Sequence, residues 1–374
     1  MKNRLAHLDM MRGLAALLVC VSHLRAFLLV DSSRVHAPGI ISQALYFITG
    51  FGHESVVVFF VLSGYFVGGG VVKAFSRGRW SWAAYAIRRL TRLWIVLLPA
   101  LLITLVLDFT GSHLAPEEYQ GIHHDLYHSG PALNAPADWG LAAFCGNAIF
   151  LQTILTPVFG TNGPLWSLAN EFWYYLLFPL LLGVIKFRVW PAKIASLVLA
   201  LCLALWLPKY VLFAGVNWLL GVAVFWATQN SRLQQIARRS GFLILAALLA
   251  FGSLVLVKVH PVLGSDYVVG IAFAFLIAGL AVRNAKSGWY ASLASASGET
   301  TYTLYLIHFP FLAFIFFTCF KGLKFQPDLS GWLYFLGLLG LTLVYTTAVW
   351  WCFERNTDRV RTLVEARLAR WLPK

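Results

Sequence analysis

A chain of 374 residues that is 59% hydrophobic, only 12% charged and of mean hydropathy +0.73 lies outside the range of soluble globular domains, which are about a quarter charged. Its net charge of +14 would raise nucleic acid as a partner in a soluble protein. No surface motif interleaves basic and aromatic residues, however, and basic cytoplasmic loops account for most of the charge, so no nucleic-acid role is expected.

Apolar runs reach about 20 residues, enough to cross a hydrocarbon core of about 30 Å. The sequence predicts spans near residues 10–30, 54–72, 93–109, 165–185, 192–207, 209–228, 241–259, 264–282, 300–320 and 331–352. The expected fold is all-α: one polytopic transmembrane bundle of about ten spanning helices, membrane-embedded over 1–355, with a basic cytoplasmic tail over 356–374. With Met1 inside, the predicted cytoplasmic segments hold 22 Lys and Arg and the outside loops five. That bias places both termini in the cytoplasm. The first apolar run is long enough to remain as a span, and no A-x-A-like site follows it, so no cleaved signal is expected. The five cysteines (Cys20, Cys145, Cys202, Cys319 and Cys352) show neither metal-ligand spacing nor a disulfide framework.

Taken in chain order, the first span carries Arg12 and His23. Eleven residues at about 100° each bring the two side chains within about 20° of one helix face, about 16 Å apart along the axis. Arg12 falls at the cytoplasmic mouth and His23 past the midplane, with Ala16 and Val19 between them on that face. An ionisable group inside a span costs about 2.5–3.5 kcal/mol or more, so His23 is read as functional. Snorkelling to the interface is an equal reading for Arg12. In the second span, VVVFFVLSGYFVGGG, Ser63 and Gly64 sit near mid-membrane, where glycines permit close backbone approach. Helix packing accounts for that motif as well as function does, and the surroundings of Ser63 are not those of a nucleophile elbow.

The connector KAFSRGRWSWAAYAIRRLTRLW follows. It brings Arg88, Arg89 and Arg92 into the third span, positioned to hold the phosphates of a nucleotide-bearing donor or anionic lipid headgroups. From Asp108 to Asp138 a long loop is expected, with no Lys or Arg and four histidines. His124 and His128 have i, i+4 spacing, but the H-E-x-x-H order is absent, so no metal is expected. LAAFCGNAIFLQTILT, 141–156, is too short for a comfortable span and would invert every later loop. It is read as a partly inserted or extracytoplasmic helix.

In GPLWSLANEFWYYLLFPLL, Glu171 lies about 9 Å into a helix entering from outside, a depth matching the roughly 10 Å of His23. A carboxylate beside a buried imidazole would orient it and stabilise its protonated form. The rival role for Glu171 is pairing with a structural Arg or Trp N–H. Trp166, Ser167 and Asn170 are candidate hydrogen-bond donors to a substrate or an oxyanion. Near the end, SGETTYTLYLIHFPFL places Tyr302, Tyr305 and His308 at helical spacing in a span, where they either line a polar interior or pack.

Together these motifs resemble the acyltransferase-3 family of membrane acyltransferases. The resemblance rests on Arg12-x10-His23, FFVLSGY around Ser63, the R-x-x-R of Arg89 and Arg92, LWSLANE ending at Glu171, and GETTYTLYLIHFP, and it covers roughly residues 5–355. Two positions depart from it: Ile95 stands where proline is common, and FERNTDR lacks the proline of a frequent Glu-x-Pro. The resemblance implies a ten-helix core that transfers an acyl group, most often acetyl, from cytoplasmic acetyl-CoA to a hydroxyl of an extracytoplasmic glycan. It assigns His23 as the essential histidine, Arg12 as its basic partner and Glu171 as the motif glutamate, in a bacterial cytoplasmic membrane. Acetyl-CoA is then a co-substrate, with CoA phosphates near Arg12, Arg88, Arg89 and Arg92, and glycan and membrane lipid are the partners. Without an appended esterase-like domain, transfer would be completed in the membrane or by a partner. A transporter of a lipid-linked sugar or small anion would also use midplane His, Glu and Arg, but should show inverted repeats. The glycan's identity, acetyl against succinyl, direct transfer against an acyl-enzyme, and the oligomeric state are not readable from the sequence.

Overall fold

Helices form where the apolar runs are uninterrupted and stop where polar caps take over the free backbone groups. In the computed structural model, which describes residues 5–36, 39–121, 137–261, 264–283 and 288–368, the helices are α1 (Ala6–Leu28), α2 (Ile40–Ile48), α3 (Gly52–Ser63), α4 (Gly69–Ser76), α5 (Trp82–Leu114) and α6 (Leu141–Ala148). They continue as α7 (Leu165–Lys186), α8 (Trp190–Trp206), α9 (Lys209–Ala227), α10 (Ser231–Arg238), α11 (Ser240–Val259) and α12 (Ser265–Ala281). The last three are α13 (Trp289–Cys319), α14 (Leu329–Cys352) and α15 (Thr357–Leu368). Ser81 caps α5 by accepting from Ala84 N, and Asn230 caps α10 by accepting from Arg232 N and Leu233 N. Asp328 caps α14 through Gly331 N at 2.8 Å, and that bond holds its carboxyl below the usual carboxylate range.

Among the described residues, eight helical segments are long and apolar enough to cross a membrane. The other two expected spans appear as α8 and α12, apolar helices of 17 residues, the lower limit for spanning. Leu205, Val344 and Ile185 are more than two-thirds exposed, which is tolerable only against hydrocarbon. The chain is thus an all-α polytopic membrane protein. The short segment after residue 140 is helical only over Leu141–Ala148, and the turn beyond it places Phe150 and Thr153 in the left-handed region. One expectation needs correction: Asp108 does not begin a loop, because α5 continues to Leu114.

The chain divides into two compact units. The first comprises Met1–Ala15, His53–Trp80 and Ser167–Gly298; the second comprises Ala16–Gly52, Ser81–Trp166 and Glu299–Lys374.

In the first unit a π-helical turn, Gly64–Gly68, links α3 to α4. A Cβ on Gly64 would stand 1.8 Å from the Trp218 carbonyl oxygen, and one on Gly221 would stand 1.9 Å from that of Val61. The backbones of the α3–π segment and α9 therefore touch, as small residues allow in membranes. Gly221→Ala is expected to cost more than the ~1–3 kcal/mol of ordinary overpacking, because the obstacle is backbone and not a movable side chain. A thermal unfolding midpoint in detergent equal to wild type would contradict this contact. At one end of the unit, Arg283 closes helix ends by donating to the carbonyls of Ala237, Arg238, Arg239 and Gly279.

In the second unit, α1 ends in a backbone bridge. Val30 N donates to Phe325 O at 3.0 Å and Phe325 N to Leu28 O at 2.8 Å. Phe27, Phe309, Phe316 and Phe317 pack into one aromatic cluster below it. Pro310 inside α13 has no N–H to give to the carbonyl of Leu306. Asn162 Nδ2 supplies the missing donor at 2.9 Å, which pins the turn before α7 to α13.

Candidate active site

His23 belongs to the second unit. Its ring is stacked on His308, with centroids 5.2 Å apart and planes 15° apart, and meets the edge of Phe309 at 5.0 Å. His23 Nδ1 lies 2.9 Å from His308 Nε2, and His308 Nδ1 lies 2.8 Å from the Leu304 carbonyl. These two contacts fix the tautomers of the neutral rings. A carbonyl oxygen only accepts, so His308 carries its proton on Nδ1. Its Nε2 is then an acceptor, so His23 must donate from Nδ1. The lone pair of His23 is left on Nε2, ready to accept a proton. His308 is fully buried. At Nδ1, therefore, the partner of His23 is a second imidazole and not a carboxylate. His308 does for His23 what the carboxylate does in a Ser-His-Asp triad: it selects the tautomer and orients the ring.

Glu171 belongs to the first unit. Tyr175, one helical turn on in α7, donates to its Oε1 at 2.5 Å. Ser63 Oγ lies 3.3 Å from the Tyr175 hydroxyl, and Trp218 Nε1 donates to Ser63 Oγ at 3.1 Å. Two residues to which the sequence assigned no role, Tyr175 and Trp218, thus join Ser63 and Glu171 in one network. Beside Glu171, Asn170 is fully buried, and neither its Nδ2 nor its Oδ1 has a hydrogen-bond partner among the described residues. A buried amide left so costs about 1–3 kcal/mol, and a ligand is one way to recover it. Ser167 is buried in the same helix, and Trp166 is part-buried at the end of the second unit.

The basic residues separate. Arg12, in the first unit, donates to Gly298 O at 2.7 Å, pairs with Asp9 at 3.3 Å and lies over the Phe66 ring. In the second unit Arg88 is exposed and Arg89 part-buried. Arg92 is ion-paired at 2.6 Å with Glu354, which is 3% exposed and also accepts from Thr303 N and Oγ1. The charge of Arg92 is therefore already matched within the protein, and its guanidinium lies over the Tyr302 ring. Tyr302 donates to Leu93 O and Tyr305 to Pro164 O, so both hydroxyls serve helix contacts in this structure.

Sequence reasoning missed Asp108 and Glu354. Asp108 is fully buried and accepts from Thr161 N at 2.7 Å and Thr161 Oγ1 at 2.8 Å. Gly160, at φ 57°, is required there, since a Cβ would stand 2.0 Å from the Asp108 carboxylate. The available signal was an acidic residue inside an apolar helix, obscured by ending the span one residue beyond it. No group of three or more His, Cys, Asp or Glu converges among the described residues; His124 and His128 lie outside them.

A part-buried imidazole, His23, and a fully buried one, His308, thus stand in series within a multi-pass membrane protein, one holding the other's tautomer. The comparison with known families makes the class specific. A family model described as an acyltransferase domain matches residues 5–351, nearly the whole chain, and the protein belongs to the acyltransferase-3 family. No curated protein and no solved structure gives a match.

Proposed function

We propose that this membrane acyltransferase moves an acyl group, in the first instance acetyl, from cytoplasmic acyl-CoA to a hydroxyl of an extracytoplasmic glycan or glycolipid, in a bacterial cytoplasmic membrane with both termini inside. The observation that carries the reading is the His308–His23 pair, which leaves the lone pair of His23 on Nε2. His23 Nε2 takes the proton of the acceptor hydroxyl as its oxygen attacks the thioester carbonyl. The carbon–sulfur bond breaks, and the CoA sulfur leaves with the proton returned by His23. His308 holds the imidazolium that forms in between, and proximity of the two bound reactants supplies much of the acceleration.

Arg12, Arg88, Arg89 and Arg92 are proposed to meet the donor's phosphates at the cytoplasmic face; Glu354 holds the guanidinium of Arg92. Glu171 is proposed as the second catalytic group, with Asn170, Ser167 and Trp166 as substrate contacts. The orphaned amide of Asn170 supports that assignment. Ser63, Tyr302, Tyr305 and His308 are proposed as further substrate contacts. Purified protein given radiolabelled acetyl-CoA and candidate glycans should release CoA and label the glycan. Glycan movement without CoA consumption would overturn the reading in favour of a transporter.

A further inference from the structure

The network around Glu171 has a direction, which follows from the chemistry of its two ends. An indole N–H can only donate, so Ser63 Oγ accepts from Trp218 at 3.1 Å. An ionised carboxylate only accepts, so Tyr175 gives its single hydrogen to Glu171 Oε1 at 2.5 Å. The remaining link, the 3.3 Å contact between Ser63 Oγ and the Tyr175 oxygen, must then be made by the Ser63 hydrogen. Every hydroxyl in the series has one hydrogen and one assigned acceptor, and the series ends on the carboxylate.

The scaffold holds this geometry. Trp218 is 1% exposed, and its ring meets Phe178 at 5.2 Å and Tyr174 at 6.1 Å. The Trp218 carbonyl abuts Gly64, next in sequence to Ser63. Ser63 itself is the last residue before the π-helical turn, a feature that often marks functional positions.

We infer that Tyr175 is a positioning residue for Glu171, and that Trp218 and Ser63 form a one-way donor chain directing the Tyr175 hydrogen onto the carboxylate. The inference rests on the reading that Glu171 serves acyl transfer. Its physical content is that the carboxylate is aimed by the protein before substrate arrives, which lowers the reorganisation needed during reaction. A tyrosine placed only for packing would make no such demand on its hydroxyl.

The test uses the full-length protein in detergent or nanodiscs. Tyr175→Phe keeps the ring and removes only the donor. It is expected to lower kcat about 10- to 100-fold, the worth of a hydrogen bond to a charged group, with KM little changed. Ser63→Ala should give a smaller loss in the same direction, and Ser63→Thr should recover most of it. In the Tyr175→Phe background, Ser63→Ala should add nothing, because its effect passes through the missing hydroxyl. Independent losses that multiply would overturn the chain. Infrared difference spectra, with Glu171→Gln identifying the carboxylate band, supply a readout that needs no turnover. The band should shift in Tyr175→Phe, and an unmoved band would overturn the chain. A shifted band with unchanged kcat would overturn the positioning role. Full activity in Glu171→Gln would instead remove the reading of Glu171 on which the role rests.

Discussion

His23→Ala is expected to lower kcat for acyl transfer about 10²- to 10⁴-fold, the range for loss of a general base. The protein itself should remain folded and should bind CoA as the wild type does. The side chain removed contributes a stacked contact with His308 and an edge contact with Phe309, not a helix-terminating or backbone-bridging interaction. α1 keeps its apolar packing through Leu24, Phe27 and Leu28, each no more than 2% exposed. The measurement is a turnover assay beside calorimetric CoA binding and a thermal unfolding midpoint. Residual turnover near the wild-type rate would reject His23 as the base, whereas loss of both binding and folding would mean the residue is structural.

His308 separates the tautomer argument from a simple packing role. His308→Phe fills the same buried volume but offers no acceptor to His23 Nδ1. The His23 ring is then free to carry its proton on Nε2, the wrong atom for accepting one from a hydroxyl. The expected loss is about 10²-fold or more in kcat, by the same logic that makes a wrongly held tautomer costly in triad enzymes. His308→Gln keeps an acceptor oxygen near the position of Nε2 and should regain a substantial part of the activity. Equal activities for the Phe and Gln variants would show that the position matters for packing alone. Nitrogen-15 chemical shifts of the His23 ring would read the tautomer directly. They should report Nδ1–H in the wild type and a tautomer mixture in His308→Phe.

Much of this architecture was readable from residue pattern. Membrane spans announce themselves through length and hydropathy, and observed helices such as Leu165–Lys186 and Lys209–Ala227 fall within a few residues of the expected ones. Keeping 141–156 out of the count rested on loop charge, and that segment folds into a helix of only eight residues. Arg12 and His23 were legible because an ionisable side chain in hydrocarbon demands a reason.

Partnerships across the chain were not legible. His308 lies 285 positions from His23, and nothing in the pattern around either residue states that their rings stack. Depth arguments put Glu171 at a comparable level, but depth fixes one coordinate only, and the group at Nδ1 is an imidazole. Glu354 falls just past the expected end of the last span and carried no assigned role; its burial against Arg92 and Thr303 depends on how α14 ends. Tyr175 and Trp218 carry no distinguishing signal in the sequence, because only the fold brings a donor-only indole and a carboxylate to opposite ends of two hydroxyls. Asp108 was missed for a local reason: the helix ran one and a half turns further than its apolar run.

The part-buried imidazole of His23 is proposed to join a cytoplasmic thioester to an external hydroxyl. The most direct measurement is vectorial transfer in proteoliposomes of defined orientation, with labelled acetyl-CoA on the cytoplasmic side and acceptor glycan only on the other. Wild-type protein should acetylate the glycan while releasing CoA on the donor side, and His23→Gln should do neither. Glycan acetylation that persists in His23→Gln would contradict the account.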